Sequence, residues 1–199
     1  MYRRVFKKIF DFIFAIMLLP LFVIITIIIG PLIYFQDKGP IFYTAPRLGK
    51  NGKIFKVYKY RSMIVNAPDI RNEDGSTFND EDDPRLTKIG KLIRKTSIDE
   101  IPQILNVIKG EMSVIGPRPS IPGKKIDEYD NKRLKKIAVD PGITGYTQAY
   151  FRNSISQEEK CEHDAYYADN ISLLFDIKIF MKTIFSVINR KNIYNSKQY

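Results

Sequence analysis

Two adjacent carboxylates, Asp99 and Glu100, lie in the segment 96–103. Carboxylates of this kind can bind a divalent metal ion or attack phosphorus as nucleophiles. A structural interpretation competes, because Ser97 and Glu100 have the spacing of a helix capping box. That interpretation puts Pro102 one turn inside the helix, whereas proline fits best at the first helical position. With Pro102 at that position, both carboxylates precede the helix and face its positive end, beside N–H groups suited to a phosphate.

Basic side chains elsewhere in the chain are candidates to complete a phosphate site. Arginine offers a planar fork that matches two phosphate oxygens, and a proline-rich backbone fixes where that fork points. The candidates are Lys59, Arg61, Arg94 and Arg118, the last of which lies in the proline-rich segment 116–123. Each is a weak signal alone, because 32 Lys and Arg residues against 22 Asp and Glu residues give a formal charge of +10.

The composition excludes several other kinds of chemistry. One cysteine and one histidine exclude an internal disulfide framework and most multi-ligand metal sites. Phosphate-loop, dinucleotide-binding and serine-hydrolase motifs are also absent. Residues 80–83 resemble the Asp-x-Asp metal motif of nucleotide-sugar enzymes, although an acidic loop tip is the commoner explanation. Cys161 and His163 crowd together with Asp164, but helical positions two apart do not share a face.

An apolar segment near the start predicts a membrane helix. Residues 12–35 carry no charge over 24 positions, and a helix of that length rises roughly 36 Å, enough to cross a hydrocarbon core. The competing interpretation is a cleaved signal peptide. It is disfavoured because the apolar stretch exceeds the usual length and no small-residue cleavage site follows Gly30 and Pro31.

The charges that flank this segment bear on its topology. Basic residues exceed acidic ones on both sides, so both flanks have the character of cytoplasmic segments. A hairpin that enters and leaves by the same face satisfies both flanks, with Pro20 bending the helix axis. A single-pass anchor that tolerates a proline kink is the alternative.

The rest of the chain predicts one mixed domain. A β-hairpin is predicted from strands at 41–43 and 54–60, and helices are predicted at 84–95, 102–109 and 173–189. Loops or turns are predicted at 66–84, 116–123 and 141–145. The helix 84–95 is basic and amphipathic, which suits an anionic surface or phosphate ligands but also an ordinary solvated face. The last helix is broadly apolar, which predicts deep burial or partial lodging in the bilayer interface.

Five segments together resemble the small bacterial sugar transferases, the monotopic phosphoglycosyl transferases. They are Ile-Phe-Lys-Val-Tyr-Lys-Tyr-Arg-Ser-Met (54–63), the run from Asp-Pro-Arg-Leu-Thr to Asp-Glu-Ile-Pro-Gln (83–103), the run from Asn-Val-Ile-Lys-Gly to Gly-Pro-Arg-Pro (106–119), Pro-Gly-Ile-Thr-Gly (141–145) and Asp-Ala-Tyr-Tyr (164–167). The resemblance covers nearly the whole chain in order. It is therefore far more specific than any single motif.

This resemblance implies a reaction and its residues. A UDP-sugar and polyprenyl (undecaprenyl) phosphate would give polyprenyl-diphospho-sugar and UMP. Asp99 would be the nucleophile and Glu100 its partner at Mg²⁺. Substrate-binding residues would be Lys59, Arg61, Arg94, Arg118, Gln148 and Arg152.

The resemblance also implies an architecture. The fold would be α+β, mostly helical and monotopic, with a re-entrant membrane helix broken at Pro20, a small β-hairpin and amphipathic interfacial helices. Residues 1–35 would form the membrane anchor, 36–190 the catalytic domain on the cytoplasmic face of the bacterial inner membrane, and 191–199 a polar tail.

A function of another class stays open at this stage. A membrane-tethered module could recruit an acidic partner through its basic face, and it would need no carboxylate pair. Nucleic acid is a poorer partner for the positive charge, because the basic residues lie beside an apolar anchor that directs them to a membrane surface. Formation of UMP separates the transferase from the binding module.

Overall fold

The computed structural model describes residues 1–71, 78, 80, 82–123, 126–152 and 154–189. In these residues the α-helices are α1 (Lys7–Asp37), α2 (Lys88–Lys95), α3 (Ile104–Ile108), α4 (Asn131–Ile137), α5 (Tyr146–Tyr150), α6 (Gln157–Asp169) and α7 (Leu173–Ile188). The strands are β1 (Phe42–Leu48), β2 (Ile54–Tyr60), β3 (Ser113–Ile115) and β4 (Gly142–Thr144). A π-helical turn covers Tyr2–Phe6, and 3₁₀ segments cover Lys50–Gly52, Ile98–Gln103 and Ile126–Glu128. Helices combined with two small sheets confirm the predicted mixed fold.

Helix α1 is the long apolar helix that the sequence predicts. It is 31 residues long and is apolar enough to cross a membrane. Large apolar side chains are exposed along its length, with Ile27 68% and Phe35 74% exposed, which favours lipid over water as the surrounding medium. The predicted break at Pro20 is not seen, because α1 continues through Pro20 and Pro31. A proline removes one helical hydrogen bond and can be accommodated as a kink without ending the helix.

The other side of α1 packs against the rest of the chain and is buried there. Ala15, Phe22 and Ile33 lie in one buried cluster with residues of the hairpin, α2 and α3. Phe22 stacks on Tyr60 of β2 with ring centroids 6.2 Å apart. The predicted anchor and the predicted catalytic domain therefore share a hydrophobic core.

The predicted β-hairpin is confirmed, and β2 has the predicted bounds. Strand β1 extends to Leu48, beyond the predicted 41–43, and pairs antiparallel with β2 so that Phe42 lies opposite Tyr60 and Leu48 opposite Ile54. The connecting turn uses Asn51 (φ 54°) and Gly52 (φ 77°) in the left-handed region, where asparagine and glycine are tolerated best.

The segment 141–145 is not the turn that the sequence predicts, because Gly142–Thr144 forms strand β4. It pairs in parallel with β3, with Ser113 opposite Gly142 and Ile115 opposite Thr144. A Cβ atom on Gly142 would lie 2.1 Å from the Gly116 nitrogen, so this approach requires glycine. Three-residue strands paired across the sequence leave no local periodicity to detect.

Two other predicted helices have different outcomes. Helix α2 begins at Lys88 rather than at Pro84, because the Thr87 side chain accepts a hydrogen bond from the Gly90 N–H and caps it. The predicted bounds of helix α7 are confirmed to within one residue, and the helix has one buried and one exposed face. Ile179 is completely buried, whereas Leu174 is 72% exposed. The predicted polar tail 191–199 lies outside the described residues.

Candidate active site

The two carboxylates lie at the start of a helical segment, not ahead of one. Asp99 and Glu100 occupy the first turn of the 3₁₀ helix Ile98–Gln103, and Pro102 lies inside it. Placing Pro102 at the first helical position was therefore wrong. The capping box does not form either. Ser97 is at the N-cap position, but its side chain makes no capping hydrogen bond.

A sharp turn brings these carboxylates back towards helix α2. Ser97 has φ 58°, the left-handed conformation that commonly reverses the chain after a helix. Such a conformation costs a non-glycine residue about 1–3 kcal/mol. Because α2 ends at Lys95, the turn leaves Arg94 close enough to Asp99 for its charge to oppose the rise that burial causes in the pKa of that carboxyl group.

Glu100 is the centre of an ion-pair cluster. The Lys59 Nζ of β2 lies 2.6 Å from Glu100 Oε1, and the Arg118 Nη2 lies 3.2 Å from the same oxygen. The Lys59 and Glu100 side chains are each 21% exposed, whereas the Arg118 side chain is 58% exposed. The strand, the 3₁₀ helix and the proline-rich segment thus meet at one carboxylate, as the sequence candidates required.

Asp99 differs from its neighbour in its surroundings. It is 8% exposed, and among the described residues no hydrogen-bond donor reaches its carboxylate. Burial raises the pKa of Asp99 to about 6; the Lys59 ammonium group opposes this rise, and the charge of Glu100 adds to it. Burial also acts on Glu100, but Lys59 and Arg118 outweigh it and lower the pKa of Glu100 to about 2.

The two carboxylates are therefore suited to different roles. Glu100 stays ionised and is held by its cations. Asp99 is ionised above about pH 6 but poorly stabilised, which favours reaction with an electrophile. Lys59, Arg94 and Arg118 all act electrostatically on Asp99, so an anionic electrophile such as a diphosphate would be attracted to it.

The difference between the two carboxyl groups can be measured directly. The protein is labelled with ¹³C at the aspartate and glutamate carboxyl carbons. We expect the chemical shift of the Asp99 carboxyl to titrate with a midpoint near pH 6, and that of Glu100 to keep its ionised value down to near pH 2. The Asp99→Asn and Glu100→Gln variants assign the two signals. An Asp99 midpoint below the ordinary value of 3.8 would contradict the burial argument.

The site can also be compared with the needs of a metal ion. Within the described residues, no group of three or more His, Cys, Asp or Glu side chains forms a protein-only metal cage. Mg²⁺, however, is usually held by one or two carboxylates together with substrate phosphates and water. Asp99 fits that donor set, and so does Glu100, whose side-chain hydrogen bonds within the described part of the chain all go to Oε1.

Two of the predicted arginines have partners of their own. Arg94 Nε donates to the hydroxyl of Ser62, two residues beyond the end of β2, at 2.9 Å. Arg61 is 6% exposed and pairs with Asp37 at the end of α1, and its Nη2 also donates to the Ile33 carbonyl at 3.1 Å. Among the described contacts none joins Arg61 to the carboxylate pair. The side-chain hydrogen bonds of Arg61 in the described part of the chain go to α1.

Two predicted substrate-binding residues lie near the site: Gln148 in α5 and Arg152 just after it. The charge of Glu100 acts on Arg152, which adopts the left-handed conformation with φ 51°. The Gln148 amide lies against Gly145, since a Cβ on Gly145 would be 2.8 Å from Gln148 Oε1. The same Cβ would be 2.0 Å from the oxygen of Gly116, the first residue of the proline-rich segment. Within the described part of the chain, the amide nitrogen and oxygen of Gln148 are buried without a hydrogen-bond partner.

The weaker sequence candidates have structural partners. Asp83 is buried and pairs with Arg85 at 2.7 Å, which explains it without a metal; Glu81 of the same run lies outside the described residues. Asp164 pairs with Lys136 at 2.9 Å, and His163 stacks on Phe151 at 4.3 Å. The acidic run and the Cys161 group therefore offer no second centre among the described contacts.

Sequence reasoning missed two polar residues beside the site, Ser62 and Asn106. Ser62 gave no signal, since serine beside basic residues is common. Asn106 gave one, because it is the single polar residue in Ile104–Ile108.

Comparison with known proteins places the whole described chain in one family. The bacterial sugar transferase family model matches residues 2–190. The uncharacterized sugar transferase EpsL of Bacillus subtilis (strain 168) is 41% identical over 184 residues, which cover 92% of this chain and 88% of that protein.

Two longer relatives carry names that specify a reaction. The undecaprenyl-phosphate galactose phosphotransferase of Salmonella typhimurium is 36% identical over 208 residues, covering 96% of this chain and 42% of the relative. The UDP-N-acetylgalactosamine-undecaprenyl-phosphate N-acetylgalactosaminephosphotransferase of Aeromonas hydrophila is 37% identical over 188 residues, covering 92% of this chain and 43% of the relative. The chain thus spans less than half the length of these two proteins. On the family match and the EpsL identity, it belongs to the bacterial sugar transferase family.

Proposed function

We propose that this sugar transferase moves a sugar-1-phosphate from a UDP-sugar to polyprenyl phosphate and releases UMP. The observation that carries the proposal is a buried Asp99 carboxylate, which no hydrogen-bond donor among the described residues reaches, next to a Glu100 already neutralised by Lys59 and Arg118. The name of the Aeromonas relative supports a UDP-sugar donor and an undecaprenyl-phosphate acceptor, and the name of the Salmonella relative supports the same acceptor.

The proposed chemistry proceeds in two displacements at one phosphorus atom. An Asp99 oxygen attacks the sugar-side phosphorus, the bond from this phosphorus to the bridging oxygen breaks, and UMP leaves with that oxygen. An oxygen of polyprenyl phosphate then attacks the same phosphorus, and the bond to Asp99 breaks to return the free carboxylate. A covalent intermediate allows two bulky anionic substrates to react in separate steps.

The cations of the site support both displacements. Arg118 is exposed enough to reach a bound diphosphate while it contacts Glu100 at 3.2 Å. Lys59 and Arg94 keep positive charge beside Asp99, where charge builds up on the phosphoryl oxygens. Asp99 and Glu100 would hold Mg²⁺, which when bound supplies further positive charge to the diphosphate.

The test of this proposal is formation of UMP and of the covalent adduct. Incubation with a UDP-sugar and Mg²⁺ but without lipid should add the mass of one phosphosugar to the intact protein. Addition of polyprenyl phosphate should remove the adduct and sustain UMP release. Binding of acidic proteins with no UMP formed across a panel of UDP-sugars would favour the membrane-tethered binding module instead.

We also propose that both ends of α1 lie on the cytoplasmic face of the bacterial inner membrane. At its start, the Lys7 Nζ lies 2.8 Å from Asp176 of α7, and Asp11 accepts a hydrogen bond from the Ser113 hydroxyl at 2.6 Å. At its end, Asp37 pairs with Arg61. A straight crossing would put one of these charged contacts on the far side of the bilayer and draw the domain into hydrocarbon, at a high desolvation cost. A re-entrant course, in which α1 stays helical through Pro20 but is kinked there, avoids this cost.

Cysteine labelling tests this orientation. In a Cys161→Ser background, Arg3→Cys and Lys53→Cys place one thiol before α1 and one on the hairpin, both at exposed positions. We expect a membrane-impermeant maleimide to label neither thiol in intact spheroplasts and both in inverted vesicles. Labelling of residue 3 alone in intact spheroplasts would show that α1 crosses the membrane.

A further inference from the structure

Asn106 is a completely buried polar residue between aliphatic neighbours on α3. A buried carboxamide is costly unless its hydrogen bonds are made. Here Oδ1 accepts from the Tyr58 N–H at 3.0 Å, and Nδ2 donates to the Lys56 carbonyl at 2.8 Å and to Glu111 Oε2 at 2.7 Å. Both ends of the amide are therefore occupied.

The two backbone groups that Asn106 binds lie on the free edge of β2. In an antiparallel pair, alternate residues direct their N–H and C=O groups away from the partner strand. Lys56 and Tyr58 are residues of that outward set, opposite Pro46 and Thr44 of β1. Asn106 thus takes the place of a neighbouring strand at this point.

The same two segments carry the Lys59–Glu100 ion pair. Lys59 follows Tyr58 directly in β2, and Glu100 lies in the 3₁₀ helix that continues into α3. A lysine side chain is long and flexible and does not by itself hold its ammonium group in place. The Nζ–Oε1 contact of 2.6 Å is therefore better maintained when the two backbones are held in a set relative position. Asn106 binds the β2 backbone from a point six residues beyond Glu100.

We propose that Asn106 is a positioning residue that holds Lys59 against Glu100 and so keeps a cation beside Asp99. The inference rests on the proposed transferase function for its effect on rate. The contact between strand and helix does not depend on that function. Asn106 touches neither carboxylate of the pair in the described structure, so its effect on catalysis passes through β2 and Lys59.

The test is a double-mutant cycle with Asn106→Asp and Lys59→Met. Aspartate keeps an acceptor for the Tyr58 N–H but loses the donors and faces the Lys56 carbonyl and the Glu111 carboxylate. We expect kcat to fall about tenfold or more, with KM for the UDP-sugar changed less than about threefold, because the reacting groups are misplaced rather than removed. In Lys59→Met protein the same substitution should change kcat less than about twofold. Additive losses would overturn the proposal.

A second measurement does not depend on activity. The ¹⁵N side-chain resonance of Lys59, assigned with Lys59→Met, should shift in Asn106→Asp protein as the ion pair loosens. Glu111→Gln added to Asn106→Asp removes the carboxylate repulsion and should restore part of both the resonance position and kcat. An unchanged Lys59 resonance in folded Asn106→Asp protein would also overturn the proposal. Absence of UMP release by the wild-type chain would instead refute the transferase function.

Tyr167→Phe is the matched control for a general loss of stability. It removes buried hydrogen bonds to Asp176 (2.7 Å) and to the Ile115 carbonyl (3.1 Å), away from β2. We expect it to lower the unfolding temperature as Asn106→Asp does, while kcat and the Lys59 resonance stay unchanged. Equal losses of kcat in both variants would assign the effect of Asn106 to stability alone.

Discussion

Replacement of Asp99 by asparagine is expected to reduce UMP release by at least about 10⁴-fold, the scale of loss seen when an enzyme loses its nucleophile. The amide has the same shape but cannot attack phosphorus, so no phosphosugar adduct should form on the intact protein. Coupled detection of UMP and intact-protein mass spectrometry measure both effects. Release of UMP at the wild-type rate would refute the assignment of Asp99.

The same substitution is expected to make the fold more stable above pH 6. The pKa of Asp99 is raised from 3.8 to about 6 in the folded chain, so ionised Asp99 destabilises the fold. That penalty is complete above pH 6 and disappears below pH 3.8. The unfolding temperature of Asp99→Asn should therefore exceed that of the wild type at pH 7.5 and converge with it near pH 4.

Glu100→Gln provides a control of opposite sign. The pKa of Glu100 is lowered to about 2, so its ionised form stabilises the folded chain above the unfolded value of 4.5. The variant should unfold at a lower temperature at pH 7.5. A gain of stability in Glu100→Gln, or a loss in Asp99→Asn, would contradict the electrostatic description of the site.

Replacement of Lys59 by methionine is expected to lower kcat by about 100-fold, because a preorganised charge is removed from beside the reacting phosphoryl group. Glu100 would be left with Arg118, whose side chain is 58% exposed and more screened by water. Lys59 is also the cation that most lowers the pKa of Asp99, so the acidic limb of the kcat/KM profile should move to higher pH.

Lys56→Met is the matched control for that variant, because Lys56 is an exposed lysine of the same strand. Its loss of charge should change kcat less than about twofold, the effect of an ordinary surface substitution. Equal losses in both variants would indicate that strand charge in general, not the contact to Glu100, supports the reaction.

The sequence predicts elements with a clear period better than it predicts contacts across the chain. The bounds of β2 and the course of α7 follow from local alternation and amphipathicity. Strand β4 escaped prediction because Gly142–Thr144 is stabilised by a distant partner and requires the small size of Gly116 and Gly142. The predicted start of α2 at Pro84 is wrong because the sequence offers two start signals, a proline at 84 and a capping threonine at 87, and the helix uses the threonine.

The same limit applies to the candidate site. The structure brings together the candidates Asp99, Glu100, Lys59 and Arg118. Residue type and the proline-rich segment were enough to select them as candidates from the sequence. Arg61 is two residues after Lys59, which predicts a shared face in a strand. Strand β2 ends at Tyr60, however, so Arg61 lies beyond it and meets Asp37. Where a strand ends depends on its tertiary partner, which one sequence does not reveal.

The core that α1 shares with the hairpin has a consequence for preparing this enzyme. Deleting the apolar helix is a common way to obtain a soluble catalytic domain. Here the deletion would uncover the side of Tyr60 that packs on Phe22 and leave the buried Asp176 without Lys7. Truncation would thus remove part of the domain's own interior, so purification should retain the helix and supply detergent or lipid from the first step.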